Sequence, residues 1–312
     1  MKYRVFVDGQ EGTTGLRIHE YLAARSDVEV LRIDPERRKD GEERARLLNA
    51  ADVAFLCLPD AAAREAAALV TNPDTCLIDA STAHRVAADW VFGLPELVAG
   101  QRERIRKSKR IANPGCHSTG FLLLVRPLVE SGLLPASLAL SATSITGYSG
   151  GGKKMIEQYT SGSESQRAAR PYGLSLQHKH VPEMKHHARL EVAPVFLPVV
   201  GNFYKGLAVS VPLHLAQLRP GTRAEDLQAG LEQHYRDERF IRVMPLRDAA
   251  TLESGYFDVQ ACNDTNRVDL FVFANNTQAL LLARLDNLGK GASGAAVQSM
   301  NLHLGLDETT GL

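Results

Sequence analysis

The stretch YRVFVDGQEGTTG, residues 3–15, decides the fold of the first half of the chain. Tyr3–Asp8 is an apolar run of strand length, and a helical pattern follows over Thr13–Ala24, with Leu16, His19, Glu20 and Leu22 in its interior. Between them, Gly9, Gly12 and Gly15 form a G-x-x-G-x-x-G turn. Glycines let the backbone turn tightly and approach a pyrophosphate with no Cβ in the way. The helix start turns its N–H groups and the positive end of its dipole toward the anion. The spacing carries little information alone, but its place between a first strand and a first helix is the context such a loop needs. Gly9, Gly12, Thr13, Thr14 and Gly15 are therefore expected to contact a dinucleotide.

Outward from that turn, apolar runs alternate with helices. Val28–Ile33, Val53–Leu58, Cys76–Asp79 and Arg110–Ala112 read as strands, and segments around Glu42–Asn49 and over Ala61–Val70 read as helices. This is the pattern of a parallel sheet covered on both faces, an α/β domain of Rossmann type. The end of the second strand gives mixed signals about the cofactor. An acid there suits the ribose of NAD, whereas arginine suits the 2′-phosphate of NADP. Asp34 and Glu36 are followed by Arg37, Arg38 and Lys39, and three successive cations favour NADP, with Arg37 and Arg38 as its partners. Leu58 and Pro59 should lie along the same cofactor edge.

Beyond residue 115 the pattern changes. After a helix over Ser118–Glu130, β-rich runs appear at Leu138–Thr146, Val192–Val200, Leu207–Leu215, Phe257–Asn263, Val268–Asn275 and Ala279–Asp286. Several follow one another without a helix between, which suits a mostly antiparallel or mixed sheet in an α+β domain. The predicted organisation is a cofactor domain over 1–115, completed by a C-terminal segment 287–312 that is helical over Gly291–Leu304. A catalytic and oligomerisation domain spans 116–286.

Composition bounds the function. In 312 residues, 36 basic and 36 acidic side chains cancel, so no global field draws the chain to nucleic acid or an anionic membrane. No run approaches the ~20 apolar residues of a membrane span, and the start at Met1-Lys2-Tyr3-Arg4 enters a strand rather than a leader core. Four cysteines in a chain this long make no disulfide framework, and a reducing, cytoplasmic setting is expected.

Cys116 stands apart from the other thiols. It follows Asn113-Pro114-Gly115 and opens a strongly apolar helix. A thiolate at a helix start is stabilised by unpaired N–H groups and the dipole, which suits a nucleophile. Such a thiolate wants an acid/base partner, and His178-x-His180-x-x-Glu183 offers imidazoles that titrate near neutrality. His186 and His187 enlarge that cluster, but thiol–nicotinamide chemistry needs no Lewis acid, so no metal is expected. Gly147-Tyr-Ser-Gly-Gly-Gly152-Lys153-Lys154 nearly matches a phosphate loop, but Lys154 replaces the hydroxyl that would hold Mg²⁺.

NPGCHSTG over 113–120 and DASTAHR over 79–85 together resemble the N-acetyl-γ-glutamyl-phosphate reductases, particularly their shorter type. The aspartate-semialdehyde dehydrogenases are nearby relatives. The resemblance covers nearly the whole chain and includes GLPE from Gly93, TGYSGGGK from Thr146, HKHVPE from His178 and DNLGKGASG from Asp286. The dehydrogenases typically carry Asn directly before the cysteine. Gly115 stands there in this chain, which favours the glutamyl-phosphate branch.

This resemblance implies a catalytic histidine in the HKHVPE motif, with His180 favoured, His178 second and Glu183 orienting. It implies that the loop of Ser149, Gly150 and Gly151 closes over the substrate or nicotinamide side of the cleft, and that Asn287 belongs to a segment returning to the nicotinamide pocket. Arg85 is expected to grip the leaving phosphate, with Ser81 and Asn113 as neighbours; a structural ion pair is the alternative for Arg85. The implied activity is NADPH-dependent reduction of N-acetyl-L-glutamyl 5-phosphate to the 5-semialdehyde and phosphate through a Cys116 thioester, in arginine biosynthesis, by a homodimer or homotetramer. The alternatives are reduction of aspartyl phosphate or a carrier-linked aminoadipyl phosphate, or a non-catalytic NADP-binding redox sensor.

Overall fold

A computed structural model describes residues 2–9 and 12–312. The chain divides into two compact units, one comprising residues 1–95, 99–115 and 292–312, the other 96–98 and 116–291.

The first unit carries a sheet of six parallel strands: β1 (Tyr3–Asp8), β2 (Val28–Leu31), β3 (Val53–Leu56), β4 (Cys76–Asp79), β5 (Val91–Phe92) and β6 (Arg110–Ala112), in the order β2-β1-β3-β4-β6-β5. Its helices are α1 (Thr13–Ala23), α2 (Gly41–Ala50), α3 (Asp60–Ala68) and α4 (Gln101–Lys107), joined by a final helix over Gly294–His303. Side chains alternate across the sheet. Val5, Val7, Phe55 and Ile78 pack on one face with Ile18 of α1 and Val297 and Met300 of the final helix. Phe6, Ala54, Leu56 and Leu77 pack on the other with Leu47 and Leu48 of α2 and Ala66 of α3. Both faces are buried, which is why these strands read as unbroken apolar runs. Each such large side chain contributes about 1.5–3 kcal/mol by leaving water.

The second unit opens with α5 (Cys116–Glu130), two residues earlier than its apolar pattern suggests. Its strands are β7 (Ser141–Gly147), β8 (Arg170–Pro171), β9 (Val195–Gly201), β10 (Leu207–His214), β11 (Ile241–Val243), β12 (Leu252–Glu253), β13 (Tyr256–Phe257), β14 (Val268–Ala274) and β15 (Gln278–Leu285). Seven form a mixed sheet in the order β11-β14-β15-β10-β7-β9-β8. Within it, β7 runs parallel to β9 and β11 to β14, and the other pairs are antiparallel. Helices α6 (Gly152–Ser161), α7 (Glu164–Arg167), α8 (Val181–Ala188) and α9 (Ala224–Tyr235) complete the unit. Buried from His117 to Leu128, α5 lies so close to the sheet that a Cβ at Gly120 would stand 2.8 Å from Val209. On the opposite surface Ile145, Val195, Leu197 and Leu280 remain exposed.

Two expectations are corrected here. Phe257–Asn263 is not a strand: Tyr256–Phe257 pairs only with Leu252–Glu253, and the residues beyond turn. Asp258 accepts from the Gln260 N–H, and the Thr265 hydroxyl donates to the Cys262 carbonyl, so local side-chain bonds replace a ladder. Residues 287–291, expected with the first domain, belong to the second unit. Asn287 Nδ2 donates to Ser149 Oγ at 2.9 Å, and its Oδ1 accepts from the Gly206 N–H at 2.8 Å. No described helix is long and apolar enough to cross a membrane.

Candidate active site

Cys116 is the first residue of α5, where helix N–H groups lack intrahelical partners and the dipole favours an anion. Its Sγ and one ring nitrogen each of His117 and His180 lie within 4.8 Å of one another. The donor types would suit zinc, but ligands of one tetrahedral zinc stand only about 3.5 Å apart at normal bond lengths.

His180 ends the turn before α8, and its Nε2 lies 3.9 Å from Glu183 Oε1 in the first turn of that helix. Glu183 is buried, so its carboxylate faces the imidazole rather than water. The His180 backbone N–H donates to His178 Nδ1 at 3.2 Å, which places the proton of a neutral His178 on Nε2. His178 and His180 meet edge to face, 4.8 Å between ring centroids. Sequence reasoning left the choice between them to resemblance. The geometry brings His180 to the thiol, while His178 contacts Tyr172, Phe196 and His117.

His117 was not foreseen, although its place directly after the cysteine was visible. Its Nδ1 lies 2.8 Å from Ser144 Oγ and its Nε2 3.0 Å from Tyr172 Oη. Burial, then the neighbouring His178 and Lys179, push His117 down to about 3, so the ring is neutral at physiological pH. The Tyr172 phenol is pushed up by burial and by nearby Cys116. Tyr172 carried no sequence signal at all. Burial disfavours the thiolate at the other three cysteines. Burial pushes Cys57 and Cys76 up to about 12, and raises Cys262, which also faces Asp269.

The second glycine loop follows β7 as a short 3-10 turn over Tyr148–Gly151. Gly147 has no room for a Cβ, which would stand 2.5 Å from the Tyr204 carbonyl. Ser149 and Asn287, expected to reach a cofactor, are buried and bonded to each other. They hold the loop in place, and Gly150 and Gly151 present its exposed backbone.

In the first unit, Gly9 has φ +91°, and a Cβ there would stand 2.2 Å from the Cys57 carbonyl. Gly12 precedes α1, whose first residues are Thr13, Thr14 and the buried Gly15. The intervening residues 10 and 11 lie outside the described structure. Beside the turn is a cavity of about 400 Å³ whose walls include Gly9, Gly12, Leu58 and Pro59. Arg38, Lys39 and Arg44 line it as well. Arg37 does not: its guanidinium is bonded to Asp40 at 2.7 Å and paired with Glu43 at 3.2 Å. Arg44, overlooked in the sequence, also neutralises buried Asp8 at the end of β1 through a 2.8 Å contact. A turn that excludes a Cβ, beside cationic walls, fits a phosphorylated dinucleotide.

At the ends of β4 and β6, Ser81, Arg85 and Asn113 come together. Arg85 donates through Nε to the Asn113 carbonyl and through Nη2 to the Ala80 carbonyl. Asn113 Nδ2 donates to the Ala292 carbonyl. Ser81 Oγ donates to buried Asp79 at 2.7 Å, and His84 Nδ1 lies 2.6 Å from the same carboxylate while stacking on Trp90. Asp79 and His84 were not singled out from the sequence.

A nucleotide-type parallel sheet followed by a mixed-sheet unit that opens on a thiol and carries imidazoles is the two-unit arrangement of a nicotinamide-dependent oxidoreductase. Known proteins agree. The profile of the semialdehyde dehydrogenase NAD-binding domain matches residues 39–108, and that of the semialdehyde dehydrogenase dimerisation domain matches residues 116–287. An N-acetyl-gamma-glutamyl-phosphate reductase of Nostoc sp. is 48% identical, with 100% of this chain and 99% of that protein covered. One of Pseudomonas putida is 49% identical, with 96% of each covered. Among solved structures, aspartate semialdehyde dehydrogenase II of Vibrio cholerae, complexed with ASA, superposes with TM-score 0.72 at 16% identity, covering 97% of this chain and 98% of that one. The NADP complex of the Candida albicans aspartate semialdehyde dehydrogenase gives TM-score 0.64 at 15% identity, covering 97% and 98%. The chain belongs to the N-acetyl-γ-glutamyl-phosphate reductase family of semialdehyde dehydrogenases, and it is an oxidoreductase that uses a nicotinamide cofactor.

Proposed function

We propose that this enzyme reduces N-acetyl-L-glutamyl 5-phosphate to N-acetyl-L-glutamate 5-semialdehyde, with NADPH as reductant, as a step of arginine biosynthesis. The observation that carries the chemistry is the Cys116 thiol at the start of α5 with a His180 nitrogen within 4.8 Å. The acyl group itself rests on the relatives' names.

In this reading His180 takes the thiol proton and Cys116 attacks the acyl carbon. The C–S bond forms, the C–O bond to phosphate breaks, and phosphate leaves. Holding the acyl group as a thioester splits one hard step into two. Bound NADPH supplies the hydride that reduces the thioester carbon. His180 then gives its proton to the new oxyanion, forming a thiohemiacetal. Loss of that proton and cleavage of the C–S bond release the aldehyde and restore the thiol. Glu183 keeps the imidazole oriented through both transfers, and His178 holds the His180 backbone.

For cofactor binding, we assign the pyrophosphate to the turn of Gly9, Gly12, Thr13, Thr14 and Gly15, and the 2′-phosphate to Arg38 with Lys39 and Arg44. Gly150 and Gly151 offer backbone to the nicotinamide side. Ser81, Arg85 and Asn113 are assigned to the departing phosphate, with Arg85 also bracing two backbone carbonyls. The exposed apolar surface of the mixed sheet joins copies of the chain into a homodimer or homotetramer.

The deciding experiment supplies N-acetylglutamate semialdehyde, phosphate and NADP⁺ and follows reduced cofactor at 340 nm. Phosphate-dependent reduction of NADP⁺ is expected. A preference for aspartate semialdehyde, or for a carrier-linked aminoadipate semialdehyde, would overturn the substrate assignment.

A further inference from the structure

Lys290 is fully buried, and its Nζ lies 2.8 Å from each oxygen of Glu96, which is fully buried as well. The Phe240 ring lies 5.5 Å from the same ammonium. Glu96 belongs to a three-residue segment, Glu96–Val98, that alone among the described residues before Cys116 joins the second unit. Lys290 sits in a π-helical turn that begins at Gly289, a rare geometry that recurs at functional sites.

Both glycines beside Lys290 are in contact too close for a side chain. A Cβ at Gly289 would stand 2.4 Å from the Thr265 carbonyl. A Cβ at Gly291 would stand 2.7 Å from Cys116 Cβ and 3.2 Å from its Cα. The Gly291 backbone is therefore the wall against which Cys116 rests, and the residue before it is clamped by a buried ion pair. Such a pair gains little stability over apolar residues of the same volume, because desolvation offsets attraction. What it does provide is a fixed location: an ammonium held by both oxygens of one carboxylate has one low-energy place to be.

We propose that the Lys290–Glu96 pair is a positioning device for Cys116, fixing the turn whose Gly291 backbone sets the depth and direction of the thiol. The inference rests on the reading of Cys116 as nucleophile. It is tested without turnover, by the rate at which iodoacetamide alkylates Cys116 across pH, read by mass spectrometry of that peptide. The variants are E96L/K290M, which replaces the pair with apolar volume, and E96Q, which keeps shape and one hydrogen bond. In the folded double variant, alkylation and kcat should each fall by about tenfold or more, because small misplacements of a reacting atom cost that much. KM and the dissociation constant for NADPH, read by its fluorescence, should stay within about twofold. E96Q should lie between. Wild-type alkylation and kcat in the double variant overturn the proposal. Should the double variant not fold, E96Q decides, and an unchanged alkylation profile in it overturns the proposal equally. Failure of the functional reading looks different: the C116A variant would keep activity whatever the pair does.

Discussion

His117 Nε2 lies 3.0 Å from Tyr172 Oη while its Nδ1 lies 2.8 Å from Ser144 Oγ, so the imidazole beside the nucleophile is held at both nitrogens. It aligns the Tyr172 phenol, and in the proposed mechanism it leaves acid/base work to His180. Because burial keeps His117 neutral down to about pH 3, its contribution to stability depends on pH. Above the unfolded value of 6.5 both states are neutral. Below it the unfolded chain takes up a proton that the native ring refuses, so stability falls as pH drops from 6.5 toward 3. H117Q should flatten that slope, by on the order of a few kcal/mol across the window. Urea unfolding at several pH values checks it, and equal slopes in the two proteins would discard the account.

Replacing Cys116 with alanine should leave the fold and NADPH affinity intact and abolish reduction, with kcat lower by about 10³-fold or more. Single-turnover kinetics and cofactor fluorescence together make the measurement.

H180N should lower kcat by about 10²–10⁴-fold, the range of a positioned acid/base, and remove one limb of the pH–rate profile. H178N should act mainly through the backbone it supports and cost less. The reverse ranking in kcat would hand the proton-transfer role to His178.

Charge at the adenosine end should sort the two nicotinamide cofactors. An R38A/K39A variant should bind NADPH about tenfold to a hundredfold more weakly, since a charge-assisted contact carries about 1.5–3 kcal/mol. NADH binding should change little. R37A, with its guanidinium engaged by Asp40 and Glu43, should leave the ratio nearly unaltered. Fluorescence titration of both cofactors tests all three statements.

Leu197 is 38% exposed and Leu280 37% exposed on the outer surface of the mixed sheet, and such apolar patches mark interfaces. L197E/L280E should lower the molar mass found by light scattering toward 34.0 kDa. An unchanged mass would place the interface elsewhere.

Much of this molecule was legible before any coordinates. Runs such as Val5–Val7 and Val53–Leu56 announce strands buried on both faces, because nothing polar interrupts them. Cys116 could be marked from its own neighbourhood, since a glycine–proline turn leading into an apolar helix is a local signal. Arg44 and Arg37 show the limit. Both are arginines near the end of β2, yet α2 carries Arg44 to the cavity while Asp40 and Glu43 draw Arg37 away. The irregular loop after Tyr256–Phe257 shows another, because side-chain bonds from Asp258 and Thr265 overrode an apolar-looking run.

The sequence by itself determined most element types of the first unit and the turn at Gly9, and it singled out Cys116 as the candidate nucleophile, since each depends on residues close together along the chain. Only the tertiary structure decided what stands around that nucleophile. Ser144, Tyr172 and His180 reach His117 or Cys116 from a strand, a loop and a turn far along the chain, and Lys290 meets Glu96 across 194 residues. No local propensity records such pairings; they arise when packing α5 onto the mixed sheet removes the alternatives.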